Sequence, residues 1–487
     1  MIKFNGAFFI AKKKAKLSLG RTKKMKKVQF KEAIVILITM LIILGTAVIK
    51  FGLSPQIPVL FTIALLIFWA RFRGAAWEEI HRGIQEGIET AIIPIFIFIL
   101  IGALIAVWIK AGIIPAIMVV GFKLISSQFF IPSTFVVCSL VGLAIGSGFT
   151  TISTIGIALF GMGVAMNINP ALIAGAIISG AVFGDKMSPL SDSTNLASAI
   201  AGSDLFAHIK NMMWSTIPSF IVSLILFWLL GSAGSRIDAG KIARTTTVLT
   251  QHFTITWWAL LPIILMFACA WRHIPAIPTL FINIFTTVMM IFCQDPHESL
   301  PALTKLISAG FVAHTSNSSV NALLSRGGIS SMMATVSLII VTLSLGGILM
   351  KFQVVQAAMD PLVKHLQKPG PLVTTTVLAG VGINLFVGEQ YLSVILPGKA
   401  FKPAFTRIGL SPLALSRVLE DGGSVINYLI PWGVAGSFAA STLGVPVLHF
   451  LPFAFFSLFS PVFSILSGFT GIGLKWMQTG QTKQPHH

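Results

Sequence analysis

The feature that most limits what this chain can become is the length of its stretches without charge. Residues 33–49, 51–70, 90–109, 211–235, 274–294, 327–350 and 369–388 hold no Asp, Glu, Lys or Arg, and the runs 124–184 and 422–474 are longer still. About 20 apolar residues are enough for a helix to cross a hydrocarbon core of about 30 Å. The longest runs must each hold two or more crossings. Backbone amides cannot be left unpaired in lipid, so spans of this kind are helical. Composition agrees: 55% of the residues are hydrophobic and 10% charged, too few charges to clothe a water-facing surface. The expected fold is an all-α polytopic membrane protein with about 11–12 transmembrane helices, some of them broken or re-entrant.

The formal charge of +19 suggests nucleic acid until its distribution is followed. Lys12, Lys13, Lys14, Lys16, Arg21, Lys23, Lys24, Lys26, Lys27 and Lys31 precede the first apolar run, and Arg71, Arg73 and Arg82 follow the second. Basic clusters separated by an even number of crossings place the N-terminus in the cytoplasm, where anionic lipid headgroups attract them. No nucleic-acid partner is expected. The organisation read from these patterns is a basic cytoplasmic segment at 1–31, a single transmembrane domain at 32–475 and a polar tail at 476–487. Residues 76–90 place Ile80, Ile84 and Ile88 four apart among charges, the pattern of an amphipathic helix at the membrane surface. Cys138, Cys269 and Cys293 lie in apolar stretches without metal-ligand spacing, so neither a disulfide framework nor a cofactor is expected.

The chain also repeats a pattern. Gly146-Ser-Gly-Phe149-Thr-Thr151 with Gly156 matches Gly388-Glu-Gln-Tyr391-Leu-Ser393 with Gly398. Asp185 and Asp421, and Pro218-Phe220 and Pro452-Phe453, follow at similar offsets of about half the chain. A duplication is expected, with copies at about 90–235 and 330–470. Secondary transporters commonly build ion sites at the interface of such repeats.

With only 15 Asp and Glu residues, each can be placed. Most sit in loops or at the edges of spans; Asp185, Asp192, Asp204, Glu389, Glu420 and Asp421 have apolar surroundings. Ionisable groups at membrane depth are costly and mark ion or proton paths by default. The sharpest cluster is Gly184-Asp185-Lys186-Met187-Ser188-Pro189-Leu190-Ser191-Asp192-Ser193-Thr194-Asn195. Pro189 interrupts a helix, and the Ser, Asp and Asn residues favour local hydrogen bonds over helix continuation. An unwound segment is tolerated at depth where it lines a cavity. Its carboxylates, hydroxyls and carbonyls are hard oxygen ligands suited to Na+, and a carboxylate can hold a proton in place of the cation. Asp185, Ser188, Asp192, Ser193, Thr194 and Asn195 are the candidate cation and proton ligands, with Asp185 and Asp192 the charged contacts to the transported Na+. The plainer alternative is a cytoplasmic loop in which Asp185 pairs with Lys186.

The second cluster, Glu420-Asp421-Gly422-Gly423-Ser424-Val425-Ile426-Asn427, is followed by Pro431. It marks another interruption, and two adjacent acids point in different directions, so one is expected to face the path. Asp421 is the primary candidate; Glu389, Glu420, Ser424, Asn427, Thr150 and Thr151 are additional ones. Acids at an ordinary helix N-terminus are the alternative reading of Glu420-Asp421, and Asp204 reads as a helix cap.

At these residues the sequence resembles the NhaC sodium/proton antiporter family, within a larger ion-transporter superfamily. The resemblance rests on Gly184–Asn195 and its continuation through Ala201-Gly202 and Asp204-Leu205. In the second half it rests on Tyr391-Leu-Ser393, Pro397-Gly398, Leu419-Glu-Asp421 and Leu429-Ile-Pro-Trp432. Glu389, where the family commonly carries a small hydroxyl residue, and Asn427-Tyr428 depart from that pattern. The resemblance implies Na+/H+ exchange by alternating access across a bacterial inner membrane, with Na+, H+ and membrane lipids as partners; a homodimer is left open. It also leaves room for Na+- or H+-coupled exchange of a small organic anion or amino acid, of the malate/lactate kind. Such an anion needs a base at depth, and Lys186 and Arg417 are the nearest. An ATP-driven pump is excluded by the lack of a G-x-x-x-x-G-K-[ST] stretch. A membrane protease is disfavoured, because neither Gly-x-Gly-Asp nor H-E-x-x-H occurs.

Overall fold

A computed structural model describes residues 27–232, 239–364 and 366–477; most of the basic N-terminal segment, and the tail from 478, fall outside them. Helices follow one another as α1 (Phe30–Lys50), α2 (Gln56–Phe72), α3 (Trp77–Glu89), α4 (Ile92–Lys110), α5 (Ile113–Leu124), α6 (Phe130–Ile145), α7 (Gly148–Ala165) and α8 (Pro170–Met187). After a break come α9 (Asp192–Ala201), α10 (Leu205–Ser232), α11 (Ala239–His252), α12 (Leu260–Trp271), α13 (Ala276–Gln294), α14 (Leu300–Ala309) and α15 (Ser318–Leu324). The second half holds α16 (Ile329–Lys351), α17 (Val354–Lys364), α18 (Pro369–Val387), α19 (Gln390–Arg407), α20 (Pro412–Gly422), α21 (Val434–Leu443), α22 (Val447–Phe450) and α23 (Phe455–Thr470).

The chain is a polytopic all-α membrane protein. Among the described residues eight helices are long and apolar enough to cross a membrane, and up to ten if the two bent pairs, at 95° and 90°, each count as one span. Shorter apolar helices, among them α2, α6 and α23, accompany them.

The amphipathic segment forms α3 as its periodicity requires, but its apolar face meets protein rather than lipid. Ile80, Gly83 and Gly87 are buried, and a Cβ on Gly87 would lie 2.1 Å from the Leu343 carbonyl oxygen. The glycines let α3 lie directly against α16, and Lys351 of α16 reaches Glu86 at 2.7 Å. Arg73 pairs with Glu32 at 3.2 Å, closing the α1–α2 hairpin. Gln56 contacts the Ala334 carbonyl and Trp69 packs on Phe352, so α2 and α16 run in the same direction. Lys31, Arg73 and Lys351 therefore share one face of the molecule, and α3 leads inward from it along α16, Gly83 lying against Lys351 and Gly87 against Leu343.

Four chain interruptions position the interior. The helix α6 stops at Gly146 (φ 73°, ψ 28°) and restarts after Ser147 (φ −148°, ψ 116°). The helix α18 stops at Gly388 (φ 69°, ψ 18°) and restarts after Glu389 (φ −135°, ψ 133°). Left-handed backbone of this kind is natural for glycine. In both, the residue after Gly caps the next helix: Ser147 Oγ accepts from the Thr150 amide and Glu389 Oε2 from the Leu392 amide. Thr151 and Ser393 return the same bond to the carbonyls of Ser147 and Glu389, at 2.9 and 2.7 Å. Each of these breaks rests on a further interruption of its own half. Gly146 abuts Ser188 and Leu190; Gly388 abuts Gly433 and Trp432.

Candidate functional site

The helix α8 ends at Met187, and Ser188 and Ser191 are extended before Asp192 opens α9. Pro189 lies in this unwound stretch, as its effect on a helix requires. Three candidate residues hold the stretch in place. Thr194 Oγ1 donates to the Lys186 carbonyl (2.9 Å), Asn195 Nδ2 donates to the carbonyls of Ser191 (2.7 Å) and Pro189 (3.0 Å), and Ser188 Oγ accepts from the Leu190 amide (3.2 Å). These bonds occupy carbonyls that an unwound segment would otherwise offer to an ion. Side-chain oxygen is offered alongside them.

That oxygen faces a cavity of about 760 Å³, lined by Asp185, Asp192, Ser193, Asn195, the Gly146–Thr150 break, Gln390 and Tyr391. Its other walls are Ile93, Pro94, Ile97 and Phe98 of α4, and the turn and first residues of α13 from His273 to Leu280. Asp192 and Asn195 are exposed to it and Asp185 is half-buried. Asp185 Oδ1 accepts from Ser191 Oγ at 2.9 Å, and the Gly148 amide at the start of α7 points to the same carboxylate. On the far side the aromatic rings of Phe98, Phe149, Tyr428 and Phe438 close together, with centroids 4.7–5.8 Å apart.

The two acids of the second half are sorted by the packing. Both lie at the C-terminal end of α20, which removes the reading of acids at a helix N-terminus. Asp421 faces away from the cavity. It accepts from Lys186 Nζ at 2.5 Å and from Ser460 Oγ at 2.6 Å, and neither Lys186 nor Asp421 exposes more than 1% of its side chain. Lys186 is further held by Ser460 (2.8 Å) and Ser215 (3.3 Å). Glu420 faces the other way: its Oε1 accepts from Ser193 Oγ at 2.9 Å and from Ser424. Of the adjacent pair, the acid connected to the cavity wall is thus Glu420, whereas sequence reasoning put Asp421 first.

The remaining candidates are distributed as follows. Thr150 lines the cavity; Thr151 and Glu389 serve the helix restarts described above. Asn427 braces the second interruption, donating to Asn384 Oδ1 at 2.6 Å and accepting from the Ala435 amide at 3.1 Å. Asp204 caps α10, accepting from the Ala207 amide at 2.8 Å. Lys186 pairs with Asp421 rather than with Asp185, unlike the pairing in the plainer alternative for the first cluster. Ser191, Tyr391 and the His273–Leu280 wall were not named as ligands from the sequence; Ser191 carried a signal as part of the Gly184–Asn195 cluster and Tyr391 as part of the repeated glycine motif. Among the described residues no group of three or more His, Cys, Asp or Glu is gathered as for a resident metal.

Comparison with known proteins adds three findings. Residues 7–192 and 180–472 match the model of the Na+/H+ antiporter family. The chain is 39% identical over 435 residues to the Na(+)/H(+) antiporter NhaC of Alkalihalophilus pseudofirmus, covering 89% of this chain and 94% of that one. It is 38% identical to the Na(+)/H(+) antiporter NhaC of Bacillus subtilis (91% and 98% covered), and 34% identical to the arginine/ornithine antiporter ArcD of Halobacterium salinarum (92% and 93% covered).

Proposed function

The chain belongs to the Na+/H+ antiporter family, and we propose that it exchanges Na+ for H+ across a bacterial inner membrane by alternating access. The face carrying Lys31, Arg73 and Lys351 is then cytoplasmic. The observation that carries this reading is Asp185 at the cavity wall, half-buried between the unwound Ser188–Ser191 stretch and the Gly146–Ser147 break. Asp185 and Asp192 supply charge, and Ser193 with its neighbouring hydroxyls supplies neutral oxygen. Such a set holds a small hard cation or a proton, and the two compete because both need the same lone pairs. The matching breaks at Gly146–Ser147 and Gly388–Glu389 support a duplicated architecture whose halves meet at this site. Exchange follows from closing the mouth at α4 and the His273–Leu280 wall, and parting the rings of Phe98, Phe149 and Phe438.

A second reading, exchange of a small organic anion or amino acid, draws on the cavity volume, far larger than one ion occupies. Against it, Lys186 is committed to Asp421 outside the cavity, which leaves His273 as the basic side chain on the wall. Arg417 is likewise engaged, with the Gly473 carbonyl and Ser467.

Purified protein in liposomes with an internal pH dye separates the two. Sodium alone should dissipate an imposed pH gradient, and Asp185→Asn should abolish the response. A response that appears only when malate, lactate or an amino acid is added would put the second reading in its place.

A further inference from the structure

Between the cavity and the sealed interior runs one continuous chain of oxygen atoms. Asp185 Oδ1 meets Ser191 Oγ at 2.9 Å, Ser191 Oγ meets Ser193 Oγ at 3.1 Å, and Ser193 Oγ meets Glu420 Oε1 at 2.9 Å. Asp185 lies at the cavity wall; Glu420 is fully buried, with Oε2 unpartnered. Ser191 stands at the N-cap of α9, where a serine ordinarily accepts from the backbone, yet its side chain makes no capping bond. Its hydroxyl is committed to the chain instead.

Each contact between two oxygens needs one proton. The three contacts from Asp185 to Glu420 have only the two hydroxyl protons of Ser191 and Ser193 to share, so two ionised carboxylates leave one contact unfilled. Ser424 brings a contact to Glu420 and its own proton, and leaves the deficit unchanged. The geometry points to a binding unit, Asp185–Ser191–Ser193–Glu420, that holds one proton beyond its hydroxyl protons and releases it when Na+ takes the Asp185 end. This deepens the proposed Na+/H+ exchange and rests on it.

The balance closes in both states. With the extra proton on Glu420, that carboxyl donates to Ser193, Ser193 donates to Ser191, and Ser191 donates to ionised Asp185. Shifting each proton one place along the chain moves the charge to Glu420 and leaves Asp185 neutral at the cavity, from where the proton departs to water. With Na+ bound between Asp185 and Ser191 Oγ, the first contact is an ion contact. Ser191 then donates to Ser193 and Ser193 to ionised Glu420, and no proton is missing. One Na+ therefore replaces one H+ at constant charge of the unit. The other charges near Glu420 are Lys186 and Asp421, which neutralise each other, and Asp192 lies near Asp185.

Glutamine at 420 has a permanent N–H to offer Ser193, which fills the deficit without a titratable proton. The full-length protein in liposomes is assayed for Na+-driven H+ movement and for Na+/Na+ exchange by tracer. In Glu420→Gln the first should fall by about tenfold or more while the second persists, because a positioned proton carrier is worth at least that in rate. Ser193→Ala, which cuts the chain between Ser191 and Glu420 and leaves the Asp185–Ser191 end in place, should lower H+ movement relative to Na+/Na+ exchange and serves if the first variant does not fold. Proton coupling at the wild-type level in either folded variant would overturn the unit. So would parallel loss of both activities in a folded Glu420→Gln, which would make Glu420 a cation ligand. A wild-type protein without Na+-driven H+ movement would instead overturn the exchange reading itself.

Discussion

Asp185 and Asp421 sit at corresponding places in the grammar of the chain, each where a helix gives way to small residues, hydroxyls and proline, yet they live in different solvents. The first interruption borders a cavity, with Asp192 and Asn195 exposed and Asp185 half-buried. The second is sealed around Asp421: Asp421 and Asn427 are each no more than 1% exposed, and only Glu420 reaches the cavity wall, through Ser193. The same local chemistry thus produces, at Asp185, a site that can trade its ion with water and, at Asp421, a brace that cannot. What separates them is packing from elsewhere. The start of α4 and the His273–Leu280 wall stand back from the first break, whereas α23 and the end of α8 press Ser460 and Lys186 onto the second.

If that contrast is right, neutralising the two regions should harm different properties. Asp185→Asn should lower Na+-driven H+ movement by roughly a hundredfold or more, while thermal unfolding of the detergent-solubilised protein stays near the wild-type midpoint. A large stability loss with exchange retained would reverse the comparison. Lys186→Met should act the opposite way. It strands Asp421 as a buried unpaired charge, at a cost of about 3–5 kcal/mol, read as a lowered unfolding midpoint or loss of monodisperse protein. Adding Asp421→Asn should recover most of that stability. If the double variant is no better than the single one, the pair is not a sealed brace. Asp204→Ala, at a helix cap outside both interruptions, should cost about 1 kcal/mol with exchange unchanged, and calibrates the other two.

The all-helical class was legible because a charge-free window near the length of a span has few other fates. The breaks were legible too, since Pro189, Gly146, Gly388 and Gly423 are local signals with local causes. The destinations of the carboxylates were not. Glu420 and Asp421 are adjacent, and which one met Ser193 depended on where α9 docked, a contact between distant parts of the chain. Ser460, which binds both Lys186 and Asp421, lies in a long apolar run and gives no sign of its role. Gly83 and Gly87 carried α3 onto α16 and away from lipid, although periodicity alone allowed either.

The central claim is that Na+ and H+ compete for the oxygens around Asp185. The direct measurement is the apparent KM for Na+ in liposomes across a range of external pH, with the rate at saturating Na+ followed alongside. Protonation removes the lone pairs that bind the cation, so KM should rise as pH falls, approaching about tenfold per pH unit once the site is mostly protonated, with the saturated rate held nearly constant. A KM that stays flat with pH while the saturated rate alone changes would mean that the proton and the cation do not share this site.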